Sequence, residues 1–239
     1  MRAILLAAGS GRRLALDEPK CLIDIEGHTL LERHVDKLVK AGVESLTVVM
    51  GHQHAQLSKA IDTIIERGTP LKIERRFNEL YPHGSIVSLQ CAADLLELGA
   101  IWMDADVIYP ASLLKKLVDS PHENCVLLDG RSSEQGEEMM LGVKDDRVLR
   151  IGRSVGTDWS LVGESIGFFK VSVQGGAVMR RILDGEINAG RLDQEHEDAL
   201  NRAFDAVHFG YERADDFPWT EIDFPEDVAK AARLACKID

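Results

Sequence analysis

Short apolar runs alternate with amphipathic stretches along most of the chain. Ala3 to Ala8 is an unbroken apolar run that ends at Gly9, the pattern of a strand buried on both faces. Thr29, with Glu32 three residues on, reads as a capping box that opens a helix at Leu30. Leu31, Val35, Leu38 and Val39 share one face of that helix, and Gly42 ends it. Leu46 to Met50 predicts a second buried strand. Gln56 to Arg67 predicts a helix with Leu57, Ile61, Ile64 and Ile65 turned inward. A strand over Leu71 to Glu74, a helix over Ser85 to Leu98 and a strand over Ala100 to Met103 continue the alternation. This rhythm predicts an α/β fold of Rossmann-like, doubly wound type, with a mostly parallel central sheet and helices on both faces.

After a helix at Leu113 to Asp119 the rhythm changes. Cys125 to Leu128, Met140 to Val143, Val148 to Ile151 and Ile166 to Val171 read as strands joined by short turns. Gly175 to Leu183 and Gln194 to Phe204 read as helices, and Pro225 opens a last one that ends near Cys236. No linker, low-complexity run or repeat interrupts the sequence, so residues 1–239 are expected to form one domain. Its nucleotide-binding half is expected to run to about residue 120, with an acceptor-binding half over 121–239.

Composition narrows the classes of function. With 28 Lys and Arg against 40 Asp and Glu, the formal charge is −12. That balance argues against nucleic acid or an anionic membrane as the main partner. The four cysteines form no CxxC pair, which fits reduced thiols rather than a zinc site. No apolar run is long enough to span a bilayer, and the chain reads as cytoplasmic. A homodimer is left open.

Four stretches carry candidate chemistry. In the first, the strand Leu6-Ala7-Ala8 runs into Gly9-Ser10-Gly11-Arg12-Arg13-Leu14, followed by Glu18-Pro19-Lys20-Cys21-Leu22. Glycines let backbone N–H groups approach phosphate oxygens, and Arg12, Arg13 and Lys20 add positive charge beside them. A solvated turn is the plainer account of Gly-x-Gly alone; the Pro-Lys step shifts the balance. The loop is neither a Walker A sequence nor GxGxxG. In the second, Asp104 and Asp106 follow a buried strand, where open α/β sheets bind ligands, and offer hard oxygens suited to Mg²⁺. In the third, Glu221-Ile222-Asp223 precedes the last helix, with Asp223 either a metal ligand or a cap for that helix. In the fourth, Asn78 to Leu89 is a turn leading into a helix whose N-terminal N–H groups would be exposed near Gly84 and Ser85.

On these residues the sequence resembles the nucleotidyltransferase superfamily, of nucleotide-diphosphosugar transferase fold type. The Ala-Ala-Gly-x-Gly-x-Arg loop with Pro-Lys, the strand-end aspartates and the Glu-Ile-Asp ending carry the likeness. The pattern is closest to phosphocholine and 2-aminoethylphosphonate cytidylyltransferases. The resemblance implies Mg²⁺ as cofactor, held by Asp106 and Asp223, with Arg13 and Lys20 as further catalytic residues. It implies nucleotide contacts from Leu6, Ala7, Ala8, Gly9, Gly11, Arg13, Lys20, Gly84, Ser85 and Asp104. Arg12 falls on a variable position. Acceptor contacts are expected from Tyr81, Glu195, Asp198 and Glu221, where acidic residues and an aromatic face (Tyr81, Trp159 or Trp219) would receive an ammonium group. The implied reaction moves CMP from CTP to a small phosphorylated or phosphonate headgroup and releases pyrophosphate. Two alternatives are a sugar-1-phosphate nucleotidyltransferase using UTP or dTTP and a nucleotide-sugar-dependent glycosyltransferase, which would not need the Gly-x-Gly-x-Arg and Pro-Lys steps. His52 and His54 read as solvent or partner contacts.

Overall fold

The computed structural model describes residues 1–14, 18–132, 136 and 138–238, with Arg12 described by its backbone alone. Strand β1 (Arg2–Ala7) starts the chain, and a small hairpin of β2 (Asp24–Ile25) and β3 (His28–Thr29) leads into α1 (Leu30–Lys40). The capping box forms as the sequence predicts: the Glu32 N–H donates to Thr29 Oγ1 at 3.2 Å, and the Thr29 N–H donates to Glu32 Oε2 at 2.9 Å. Then follow β4 (Ser45–Met50), α2 (His54–Glu66), β5 (Lys72–Phe77), α3 (Ser85–Gln90), α4 (Ala93–Leu96), β6 (Ala100–Asp104) and β7 (Val107–Ile108). Strands β6, β1, β4 and β5 lie side by side and parallel.

The second half adds α5 (Ala111–Asp119), β8 (Cys125–Asp129), β9 (Met140–Lys144), β10 (Arg147–Gly152), β11 (Leu161–Val171), α6 (Val173–Asn188), α7 (His196–Ala206), β12 (Gly210–Arg213), β13 (Thr220–Glu221) and α8 (Pro225–Ile238). Strand β11 joins the two halves into one nine-stranded sheet. It pairs antiparallel with β6 through Phe168–Val171, with β9 through Leu161–Glu164, and with β8 along its other edge. Gly167, at φ +77°, sits where the β11–β8 register shifts, a backbone state that favours glycine.

Alternation along the strands divides the core. Leu5, Val48, Ile101 and Phe168 point to the α1, α2 and α5 side, whereas Ile4, Val49, Trp102 and Phe169 point to the α3, α4, α6 and α7 side. Trp102 stacks on Phe169 with ring centroids 4.9 Å apart. A smaller cluster packs α8 against β2 and α1 through Ile25, Leu30, Ile222, Ala231 and Ala235.

Two expectations are corrected here. The helix expected over Ser85 to Leu98 breaks after Gln90: Ala92 leaves the helical range at φ −118°, its N–H turns to the Leu89 carbonyl at 3.1 Å, and Arg76 Nη1 donates at 3.0 Å to the Cys91 carbonyl, an acceptor an unbroken helix would use. Ile65 is 44% exposed: α2 buries the stripe of Leu57, Ile61 and Ile64, and Ile65 lies at its edge. No helix among the described residues is long and apolar enough to cross a membrane.

Candidate active site

A cleft of about 1100 Å³ opens at the C-terminal ends of β1 and β6. Its floor is the glycine loop. Gly11, at φ +57°, adopts a state other residues avoid, and the Lys20 stem packs where its Cβ would be. The His52 N–H donates to the Ala8 carbonyl at 3.0 Å, which pins the loop to the end of β4. Gly51 leaves room for Tyr81, because an added Cβ would collide with the Tyr81 ring stem and with Ala8 O. Leu6, Ala7, Ala8, Gly9, Gly11, Arg13, Lys20, Tyr81, Gly84, Ser85, Asp104, Asp106, Glu195, Glu221 and Asp223 all line this cleft. Asp198 does not.

Three distant segments meet over the loop. Lys20 Nζ lies 3.0 Å from Asp106 Oδ2 and also contacts Asp223 Oδ1. Arg13 Nη1 stands 3.4 Å from Asp223 Oδ2. Burial opposes the Lys20 charge, but Asp106 and Asp223 outweigh it and hold the ammonium well above its ordinary pKa. Carboxylate oxygens of Asp106, Glu221 and Asp223 all lie within 4.8 Å of one another. Glu221 is exposed as a whole, but desolvation of its carboxyl among its neighbours, then the charges of Asp106 and Asp223, push it up to about 9. Such a group of hard oxygens, too crowded for all to ionise unaided, fits a divalent cation of the Mg²⁺ kind.

Local backbone contacts explain this convergence. Strand β13 pairs antiparallel with β7, directly after Asp106, and the Ile222 N–H donates to the Asp106 carbonyl at 3.0 Å. Asp223 does not cap α8. Asp227, in the first turn of α8, accepts from the Asp223 and Phe224 N–H groups at 3.2 and 3.0 Å, and the Asp223 carboxylate faces Lys20. Asp104 is half-buried at the end of β6 against Gly167, and desolvation, then Asp106 and Glu197, raise its pKa well above the ordinary range.

The Asp106 turn has a second support. His34, fully buried in α1, lies 3.2 Å from the Ala105 carbonyl through Nε2 and 3.0 Å from the Tyr109 hydroxyl through Nδ1. The carbonyl can only accept, so Nε2 carries the proton and Nδ1 accepts from Tyr109. Burial, then the neighbouring Lys37 charge, push the His34 pKa down to about 3. An unfolded His titrates near 6.5, so the unfolded chain binds the extra proton between those values, and this contribution to stability is complete above about 6.5 and lost towards 3. The raised carboxyls Glu221, Asp104 and Glu197 act in the opposite sense, so a comparison of variants isolates the histidine. Between pH 7 and 5, wild type is expected to lose about 2 kcal/mol relative to His34→Gln, read from urea unfolding at the two pH values. An equal change in both proteins would refute the assignment.

The wall formed by α3 and α7 departs from expectation. The N–H groups of Gly84, Ser85 and Ile86 are not exposed for phosphate: they donate to Leu192 O, Glu195 Oε2 and Gln194 O. Ser85 Oγ donates to Glu195 at 2.6 Å and accepts the His196 N–H at 2.8 Å. Gly84 is required by this packing, since a Cβ would strike Gln194 O. Glu195 and Asp198 form the capping box of α7, and Asp198 is exposed and turned away from the cleft. Trp159 packs over Gly142 and Trp219 bonds Asp129, so of the three expected aromatic faces Tyr81 alone lines the cleft. The sequence reading missed Glu164 and Arg153, which line the cleft from β11 and the turn after β10. A single half-buried acid on β11 and a single exposed Arg in a turn, both far from the motifs, gave no local signal.

The family described as the MobA-like NTP transferase domain matches residues 3–148. The bifunctional IPC transferase and DIPP synthase of Thermococcus kodakarensis is 28% identical over 98% of this chain and 50% of its own length. The 2-aminoethylphosphonate cytidylyltransferase of Lancefieldella rimae is 28% identical over 68% of this chain and 65% of its own. The chain thus spans about half the length of the first relative and 65% of the second. The structure of the CTP:phosphocholine cytidylyltransferase from Streptococcus pneumoniae superposes with a TM-score of 0.80 at 19% identity, covering 98% of both chains, and so shares the fold. The family match runs from β1 to the first residues of β10 and includes the glycine loop, Lys20 and Asp106, and on that ground the chain belongs to the family of the MobA-like NTP transferase domain.

Proposed function

We propose that the cleft transfers CMP from CTP to a small phosphorylated or phosphonate headgroup of the phosphocholine or 2-aminoethylphosphonate type, releasing pyrophosphate. The observation that carries this reading is the meeting of Lys20, Asp106 and Asp223 above the glycine loop. The loop N–H groups, Arg13 and Lys20 would hold the triphosphate. Asp106 and Asp223, with Glu221 beside them, would hold Mg²⁺, which offsets phosphate charge when bound. An acceptor oxygen attacks the α-phosphorus as the bond to pyrophosphate breaks, and pyrophosphate leaves with the electron pair. That oxygen is already ionised, so the site needs no general base; positioning and charge neutralisation supply the rate. The continuous sheet supports one domain whose first half binds nucleotide and whose second half binds acceptor. A reaction that draws on CTP suits a cytoplasmic protein.

Glu164, Glu195 and Glu197 also line the cleft, and Tyr81 adds an aromatic face. These acids and that ring favour a headgroup that carries an ammonium as well as its phosphate. Four NTPs crossed with a panel of phosphorylated headgroups, read by pyrophosphate release, test the proposal. With CTP, phosphocholine or 2-aminoethylphosphonate should outrun glucose-1-phosphate and glycerol phosphate. Glucose-1-phosphate with UTP or dTTP as the best pair would replace it by the sugar-nucleotide reading.

A further inference from the structure

We propose that Asp129 and Trp219 form a clasp that positions Glu221 and Asp223 for the divalent cation. The inference rests on the metal reading above and assigns a role to residues outside the cleft. Asp129 ends β8 and is 3% exposed. Its carboxylate accepts four hydrogen bonds: from the Arg131 N–H at 2.9 Å, Nε at 3.0 Å and Nη2 at 2.7 Å, and from Trp219 Nε1 at 2.8 Å. Arg131 Nη2 also donates to the Phe217 carbonyl at 3.1 Å, so one guanidinium bridges the end of β8 and the strand entering the site. Burial opposes ionisation of Asp129, but these donors hold its carboxyl below the ordinary range, so it remains a strong acceptor at neutral pH.

Trp219 lies immediately before β13, whose two residues pair with β7, and Asp223 follows two residues after β13. Downstream, Asp227 holds the Asp223 and Phe224 N–H groups. Upstream, the Trp219 indole N–H anchors the segment beside the contact from Arg131 to the Phe217 carbonyl, and its ring packs against the main core. The clasp ties that anchor to β8, a strand of the central sheet, while β7 follows Asp106. A ligand-bearing strand only two residues long depends on both ends to keep its carboxylates aimed. Hydrogen bonds of this supporting kind alter metal affinity by about 10- to 100-fold when removed.

Trp219→Phe tests the clasp, because it deletes the N–H donor and keeps an aromatic ring on the core. Mn²⁺ binding followed by the EPR signal of free Mn²⁺ reads affinity without catalysis. The Kd for Mn²⁺ is expected to rise about 10-fold, and excess metal should restore turnover. Asp129→Asn weakens the same interaction, so Asp129→Asn combined with Trp219→Phe should lose less affinity than the product of the two single effects. Unchanged Mn²⁺ affinity in Trp219→Phe overturns the clasp and leaves the proposed function standing, as does full multiplicativity of the two losses. A wild-type protein that binds no Mn²⁺ overturns the metal reading and the clasp with it.

Discussion

Asp106→Asn and Asp223→Asn are each expected to lower turnover by about 10²-fold or more, which is about 2.7 kcal/mol of lost transition-state stabilisation. The fold should survive. Both side chains are partly exposed, and each substitution keeps the side-chain shape and removes one charge from three crowded carboxylates. The melting temperature should fall only modestly, because Lys20 loses one carboxylate partner and keeps the other. Steady-state pyrophosphate release across a Mg²⁺ titration, beside thermal melts, separates the two effects. Near-wild-type rates in both variants at limiting Mg²⁺ would refute the ligand assignment.

Lys20→Ala is expected to cost about 10²- to 10³-fold in kcat/KM for the nucleotide. Lys20 is the cation that touches both Asp106 and Asp223, and its stem packs on Gly11 at the turn of the loop. Its loss would leave two carboxylates facing each other and remove positive charge from the phosphate side of the cleft. Arg12→Ala, at the loop's variable position, is expected to cost far less; the Arg12 side chain lies outside the described residues. Equal losses in the two variants, measured at saturating metal, would count against the role of Lys20.

Much of the architecture was legible because it is written in local periodicity. The run Ala3 to Ala8, the capping box at Thr29 and Glu32, and the stripe of Leu57, Ile61 and Ile64 each depend on residues within two turns of one another. That the glycine loop, Asp106 and Asp223 share one cleft was legible for a related reason: each sits at or next to a strand end, in a short segment with its own local pattern. The wall formed by α3 and α7 was not. The helix N-terminus at Gly84 looks open in sequence, and only the fold brings Leu192 and Gln194 onto its N–H groups. Glu195 and Asp198 likewise read as free acids until the folded chain shows one bonded to Ser85 and the two closing a capping box. Cys91 marks the same limit on the helix that breaks, since the competing donor comes from Arg76 on β5.

The pairing of Lys20 with Asp223 spans 203 positions of sequence. A chain emerging from the ribosome can lay down the parallel strands and the glycine loop early, because β1, β4, β5 and β6 all lie within its first 104 residues. The ion pairs of the site have to wait for β13 to reach β7 and for α8 to close over Ile25 and Leu30. Until then Lys20 and Asp106 face each other without their third member. Long-range closure of this kind is slow relative to local helix formation. A nascent chain therefore passes through a stage in which its parallel strands can pair while the contact between Lys20 and Asp223 is still unmade.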